Sequence, residues 1–201
     1  MVSHIKNKYI LLSQVPSISD AFRSVVLATE AAIIKDTSLN WGVLPKKVYF
    51  MHGHPKEIVN VLQGYTNSPD FKDKKYPLII LVRDIEDEEP LIGQNGIDIS
   101  FKCQFFICTI TSPDLRAEDR EMKNFKPILH PILYEFLNQI TISPLFSTET
   151  VEQMKMKWTD RYYWGANVID KNQLNDYIDA VEIKQMTLTL YNQSCTISSN
   201  F

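Results

Sequence analysis

The sequence predicts an α+β fold, a mixed and largely antiparallel sheet of four or more strands with helices packed mainly on one face. Three observations carry this. The run Tyr76-Pro77-Leu78-Ile79-Ile80-Leu81-Val82 is continuously apolar, as a strand buried on both faces must be. Ile97 to Thr111 alternates in its first half, with Phe101, Cys103, Phe105 and Ile107 set against Ser100, Lys102 and Gln104, which marks a long strand with one wet side. Segments with helical spacing lie before and after these runs, giving the order α-β-α-β-β-α-β, in which helices and an antiparallel sheet share one core.

The elements follow in chain order. Ser17-Ile18-Ser19-Asp20, just after Pro16, resembles a capping box, and Phe22, Val25, Val26, Thr29 and Ile33 then recur at helical spacing. After a loop containing Trp41, Lys47 to His52 reads as a short strand. Pro55 is suited to the first turn of a second helix, whose apolar face is Ile58, Val59 and Leu62 and whose end lies near Gly64. Ser68 to Lys75 is polar and turn-rich. The two long strands are expected to form a hairpin through the Asp84–Gly96 loop. A helical region from about Asp114 to Ile140 places Met122, Phe125, Leu129, Ile132, Leu133, Phe136 and Ile140 on one stripe. Pro127 and Pro131 do not both fit one straight helix, so a break or kink is expected near Lys126. Ser143 to Gly165 reads as irregular. In the last strand, Ala180 to Tyr191, the apolar phase slips between Ile183 and Met186, which predicts a bulge near Lys184–Gln185.

Bulk properties narrow the functional classes. A chain of 201 residues with 44% hydrophobic and 22% charged residues has the composition of one folded domain, expected to span 1–201 with flexible ends at about 1–14 and 194–201. The formal net charge of -3 and scattered Lys and Arg show no basic stripe for gripping nucleic acid. Cys103, Cys108 and Cys195 form no CxxC pair, and the first two sit in an apolar run where cysteine acts as a small hydrophobe. Met1 to Gln14 lacks the long apolar stretch of a signal peptide and no segment approaches ~20 apolar residues, so membrane association is not expected and the protein is expected to be made in the cytoplasm.

Three groups of residues could carry function. His52-Gly53-His54 could offer two metal ligands, with Asp84 or Glu86 as a third; the competing reading is a strand-to-helix turn in which Gly53 supplies an unusual φ. Asp84, Glu86, Asp87, Glu88 and Glu89 form an acidic cluster. It lacks a calcium-loop pattern and suits a solvated loop, or one that faces a channel and repels DNA phosphate. Trp158, Asp160, Arg161, Tyr162, Tyr163 and Trp164 combine an ion-pairing dyad with aromatics, which suits either an interface anchor or a loop pinned to its own core. No GxSxG, Walker-type loop, GxGxxG or HExxH occurs, so no enzyme, catalytic residue or cofactor is expected.

Several segments together resemble a known family. They are Val48 to Ile58, Lys75 to Ile79, Phe125-Lys126-Pro127-Ile128-Leu129-His130-Pro131-Ile132, Thr159 to Gly165, and Tyr177 to Ile183. As a set they resemble small virion proteins of tailed phages of Bacteroides-like bacteria, and the element order is similar to that of tail-terminator and tail-completion (neck) proteins. The resemblance implies a homo-oligomeric ring, often six-fold, in the virion. Its partners would be its own copies and other phage neck and tail proteins, and DNA would pass through the lumen as a non-specific occupant. It brings no catalytic residues. Two rival readings are a small metal-dependent hydrolase using His52 and His54 with Asp84 or Glu86, and a monomeric protein-binding adaptor.

Overall fold

The computed structural model describes residues 17–35, 47–71, 74–82, 89–93, 96–147, 156–164 and 176–190; for 89–99, 147, 163 and 164 it describes the backbone alone. The expected flexible ends and the acidic residues Asp84, Glu86, Asp87 and Glu88 lie outside these ranges. Helix α1 (Ile18–Lys35) starts where Ser17 predicts. The Ser17 hydroxyl accepts the Asp20 amide at 3.1 Å and donates to the Asp20 carboxylate at 2.7 Å, satisfying a first-turn donor that the helix itself cannot. Its predicted face, Phe22, Val25, Val26, Thr29 and Ile33, is buried. The Glu30 carboxylate accepts the Val48 amide at 2.9 Å, tying α1 to the entry of the first strand.

Strand β1 (Tyr49–Gly53), helix α2 (Pro55–Thr66) and strand β2 (Leu78–Val82) form a β-α-β unit with β1 and β2 parallel. Gly53 has φ +148, a conformation that favours glycine. His54 then caps α2: its Nδ1 accepts the Lys56 amide at 3.2 Å, and the Glu57 carboxylate accepts the His54 amide at 3.3 Å. Ile58, Val59 and Leu62 are buried as predicted. Every residue of β2 is buried.

The remaining pairings are antiparallel and complete a seven-stranded sheet of order β1-β2-β4-β7-β5, with β3 beside β4 and β6 beside β7. Strand β3 (Glu89–Gly93) pairs with the start of β4 (Gly96–Ile110), which from Ile99 onward pairs with β7 (Ile178–Leu190). Strands β5 (Phe146–Ser147) and β6 (Met156–Trp164) line the far side of β7. Two expectations are corrected here. β2 and β4 are antiparallel neighbours, but their connection is no simple hairpin loop, because β3 lies within it and pairs with the first half of β4. The stretch expected to be irregular, Ser143 to Gly165, contains β5 and β6. The bulge falls where the phase slip placed it: Cys103 faces Met186 while Phe105 faces Ile183, so Lys184 and Gln185 together oppose the single residue Gln104.

The long helical region is continuous. Helix α3 (Ala117–Arg120) passes into a π-helical stretch (Glu121–Leu129) and then into α4 (His130–Ile142). No break occurs near Lys126. Pro127 sits inside the π-helical turns, where the wider register avoids the clash that an α-turn would impose, and Pro131 falls in the first turn of α4. The π register aligns residues five apart. Arg120 and Phe125 are therefore buried together, as are Asn124 and Leu129, while Met122, expected on the buried stripe, is 63% exposed.

The sheet carries a core on each face. On one, α1, the π-helical stretch and α4 cover Ile79, Leu81, Phe101, Phe105, Ile107, Val181 and Ile183. Phe22 is central, with ring centroids 4.7 Å from Phe105 and 4.9 Å from Phe146. Burying each such ring contributes roughly 1.5–3 kcal/mol. On the other face, α2 alone covers Leu78, Ile80, Val82, Phe106, Cys108, Ile178 and Ala180. Among the described elements the helices thus gather mainly on one side, as the α+β class predicts, with α2 the one described helix on the second face.

Candidate functional site

The candidate site is built on β6 and the helical region beside it. Along β6, Trp158, Asp160 and Tyr162 alternate with Lys157, Thr159 and Arg161, the period-2 pattern of a strand. Trp158, Asp160 and Tyr162 lie toward the helices. The Asp160 carboxylate bonds His130 Nε2 at 3.0 and 3.2 Å. The Trp158 ring stands edge-on to His130 at 5.5 Å, and Tyr162 stands edge-on to Phe125 at 4.9 Å. Both rings keep a large open side, Trp158 being 40% and Tyr162 47% exposed, and Tyr134 and Met122 on the adjoining helical surface are more exposed still. Burial of part of the Tyr162 ring, then the carboxylates of Glu121, Asp160 and Asp179, raise its phenol above the ordinary value.

On the opposite side of β6, Arg161 pairs with Glu182 of β7: Nε donates to Oε2 at 2.8 Å and the carboxylate also accepts Gln104 Nε2 at 2.9 Å. The two charged residues of the predicted dyad therefore point to different faces of the sheet and pair with other elements rather than with each other. Of the two roles weighed for this segment, the contacts show the strand pinned to its own core by His130 and Phe125, and they leave Trp158 and Tyr162 partly exposed. Tyr163 and Trp164 belong to β6, but their side chains lie outside the description.

A histidine–carboxylate pair acts as a general base only where a nucleophile or substrate meets the imidazole. The described neighbours of His130 besides Asp160 are rings, those of Phe125, Tyr134 and Trp158. The arrangement orients and fixes; it offers no described nucleophile. At β1, His52 is exposed and His54 spends its Nδ1 on the α2 cap. Asp84 and Glu86, the third ligand of the metal reading, lie outside the described residues. Among the described residues no three His, Cys, Asp or Glu side chains are grouped to hold a metal ion. Glu89 begins β3, with its backbone opposite Ser100.

Two buried polar clusters are not apparent from the sequence. Asp179, fully buried in β7, accepts Arg120 Nη1 at 2.8 Å and Asn124 Nδ2 at 2.6 Å. The same guanidinium donates to the carbonyls of Leu115 and Ser112 and to Thr111 Oγ1. This clamp fastens the start of the helical region to β7 and to the end of β4. In the second cluster, Lys75 donates to Asp176 and to Thr66 Oγ1, and the Tyr76 hydroxyl donates to Asp176 at 3.2 Å. Burial, then the charge of Asp176, pushes the Tyr76 phenol far above its usual value. The one sequence signal is Asp179, a charged residue set in an otherwise apolar strand, and it marks the first cluster alone.

No family model matches the chain, and the comparison with curated proteins finds no match either. Among the described residues no helix is long and apolar enough to cross a membrane.

Proposed function

We propose that this chain is a structural subunit of a homo-oligomeric ring in the virion of a tailed phage. In this role it acts as a tail terminator or head–tail joining protein that caps the tail, contacts other neck and tail proteins and lets DNA pass through its lumen. The phage context rests on the sequence resemblance. The self-assembling role is supported by one observation above all: β6 is a nine-residue strand that pairs only with β7 among the described strands and presents Trp158 and Tyr162 beside Tyr134 and Met122. A long edge strand bearing exposed aromatics is a template for pairing with another chain, and aromatic side chains anchor interfaces. The occupant we assign is a second copy. β1 lies at the opposite end of the sheet order and pairs only with β2 among the described strands, so each copy has two unlike edges, and contacts between unlike surfaces are the kind that close into rings.

The test is the solution mass of the purified chain over a range of concentrations, compared with a Trp158→Lys, Tyr134→Lys variant. A discrete closed oligomer in the parent and a folded monomer in the variant are expected. A parent that stays monomeric at every concentration, or an oligomer indifferent to the two lysines, would refute assembly through this edge.

A further inference from the structure

Two exposed apolar surfaces lie on the helix-covered face of the sheet, at opposite ends of its strand order. One is the surface of β6, where Trp158 and Tyr162 lie toward the helices beside Tyr134 and Met122. The other is on α1. Arg23, Leu27, Glu30 and Ile34 follow one another at steps of four, three and four residues, so they form one stripe along the helix. Two contacts fix where that stripe lies. The Glu30 carboxylate accepts the Val48 amide at the entry of β1, and the Arg23 guanidinium stands over the Phe50 ring of β1 at 5.7 Å. The stripe therefore borders β1, while Phe22, Val25, Val26, Thr29 and Ile33 face the core. Leu27 is 60% and Ile34 56% exposed, and Arg23 is exposed with them. A surface helix turns polar and charged residues outward, so two large aliphatic side chains aligned on one open stripe are not what water selects.

Strand direction shows how two copies bring these surfaces together. β1 runs parallel to β2, β2 antiparallel to β4, β4 antiparallel to β7 and β7 antiparallel to β6. β6 is therefore antiparallel to β1. Copies set edge to edge with their helices on the same side meet as an antiparallel strand pair, the better-bonded kind. The Trp158 side of β6 in one copy then stands against the α1 stripe of the next. Charge agrees with the match. Around the Tyr162 phenol stand the carboxylates of Glu121 and Asp160 and the ammonium of Lys126, while buried Asp179 is answered by Arg120. Glu121 pairs with Lys126, Asp160 with His130, and Asp119 with Lys123, so the charges beside the aromatics hold no excess of cations. On the α1 stripe the cation is Arg23, and the Glu30 carboxylate is engaged by Val48. Asp20 and Lys35, the other exposed charges of α1, lie in its first and last turns.

Resting on the ring reading, we infer that the surface receiving β6 in the neighbouring copy is this stripe of α1. Leu27 and Ile34 seat the Trp158 and Tyr134 rings, and Arg23 lies against an aromatic surface rimmed by carboxylates. Aromatic anchors against an aliphatic seat, with an arginine stacked beside them, have the make-up of an interface hot spot. The two surfaces are unlike, so the contact runs head to tail from copy to copy.

The experiment records the solution mass of the full chain in four samples over one range of concentrations. They are the parent, the Trp158→Lys, Tyr134→Lys variant, a Leu27→Lys, Ile34→Lys variant, and an equimolar mixture of the two variants. Each variant alone is expected to be a folded monomer. In the mixture, the intact α1 stripe of one meets the intact β6 surface of the other, so the mass is expected to double and go no further. A Leu27→Lys, Ile34→Lys variant that assembles like the parent would overturn the inference and leave the proposed ring standing. A mixture that stays at the monomer mass, or a β6 variant that dimerises alone through α1 against α1, would overturn it too. Arg23→Glu leaves the aliphatic stripe in place and is expected to need roughly tenfold more protein to assemble; assembly at the parent's concentration would contradict the role given to Arg23. A parent that is monomeric throughout would instead sink the ring reading itself.

Discussion

The clamp around Asp179 is where the structure makes its most quantitative commitment. Asp179 is fully buried, and its carboxylate faces two donors, Arg120 Nη1 at 2.8 Å and Asn124 Nδ2 at 2.6 Å. Arg120 is 4% exposed, so an Asp179→Ala variant leaves a guanidinium without its counter-charge and without room for water to replace it. Breaking a buried pair from one side costs about 3–5 kcal/mol, a large share of the ~5–15 kcal/mol that holds a typical fold together. For a chain of this size each kcal/mol lowers Tm by about 2–4 °C, so a fall of roughly 6–20 °C is expected if the variant folds. The double variant Arg120→Met, Asp179→Leu removes both charges at once. It still loses the donors to the Ser112 and Leu115 carbonyls, at roughly 1–3 kcal/mol, but should be no less stable than Asp179→Ala. Urea unfolding of the parent, Arg120→Met, Asp179→Leu and the double variant gives the coupling energy directly. A loss below about 1 kcal/mol in Asp179→Ala, or strictly additive losses in the cycle, would refute the claim that this pair fastens the helical region to the sheet.

Three further outcomes are expected. Gly53→Ala should lower stability by about 1–3 kcal/mol in urea unfolding, because its φ is +148 and the added methyl would lie 3.1 Å from the Glu57 carboxylate oxygen that caps α2; a neutral effect would show that the turn relaxes freely. His54→Ala should cost about 0.5–2 kcal/mol through loss of the Nδ1 cap, and Asn at this position should restore most of it, as circular-dichroism melts would show. Burial pushes the thiols of Cys103 and Cys108 well above the ordinary cysteine value. Both thiols are neutral in either state below pH ~8.5, so their contribution is intact there. As pH rises further, the unfolded chain releases protons that the folded one keeps, and stability should fall by up to about 1.4 kcal/mol per pH unit for each thiol. A Cys103→Ala, Cys108→Ala variant should lose that part of the slope; an unchanged slope above pH 9 would contradict it.

Local patterns in the sequence determine much of this protein. The Ser17 cap, the α2 face, the doubly buried β2, the alternation of β4 and the bulge at Lys184–Gln185 each follow from short-range chemistry, because a cap, a period or a phase slip is complete within a few residues. β6 reads as irregular in the sequence: Met156, Trp158 and Tyr162 alternate with Lys157, Thr159 and Arg161, but Asp160 interrupts the apolar face. That interruption makes sense only with His130, thirty residues earlier, and no local rule announces such a partner. The prolines show the same limit. Pro127 and Pro131 announce trouble for a straight α-helix, yet whether the chain breaks or widens into a π register depends on what the region packs against. Burying Arg120, Asn124, Phe125 and Leu129 together favours widening.

The candidate surfaces divide in the same way. Trp158, Asp160, Arg161 and Tyr162 stand out in the sequence as a group, and their chemistry alone marks them as able to anchor an interface. Only the sheet shows that Asp160 and Arg161 face opposite sides and that Trp158 and Tyr162 remain partly open. That Lys102, Lys157 and Lys184 become neighbours is wholly a product of tertiary structure, since they belong to three strands and meet only because β7 lies between β4 and β6. Sequence alone determines which residues a strand turns inward and which outward; strand order determines which outward residues become neighbours. Charge acts through space and not along the chain, so a surface of this kind has no signature until the register is known.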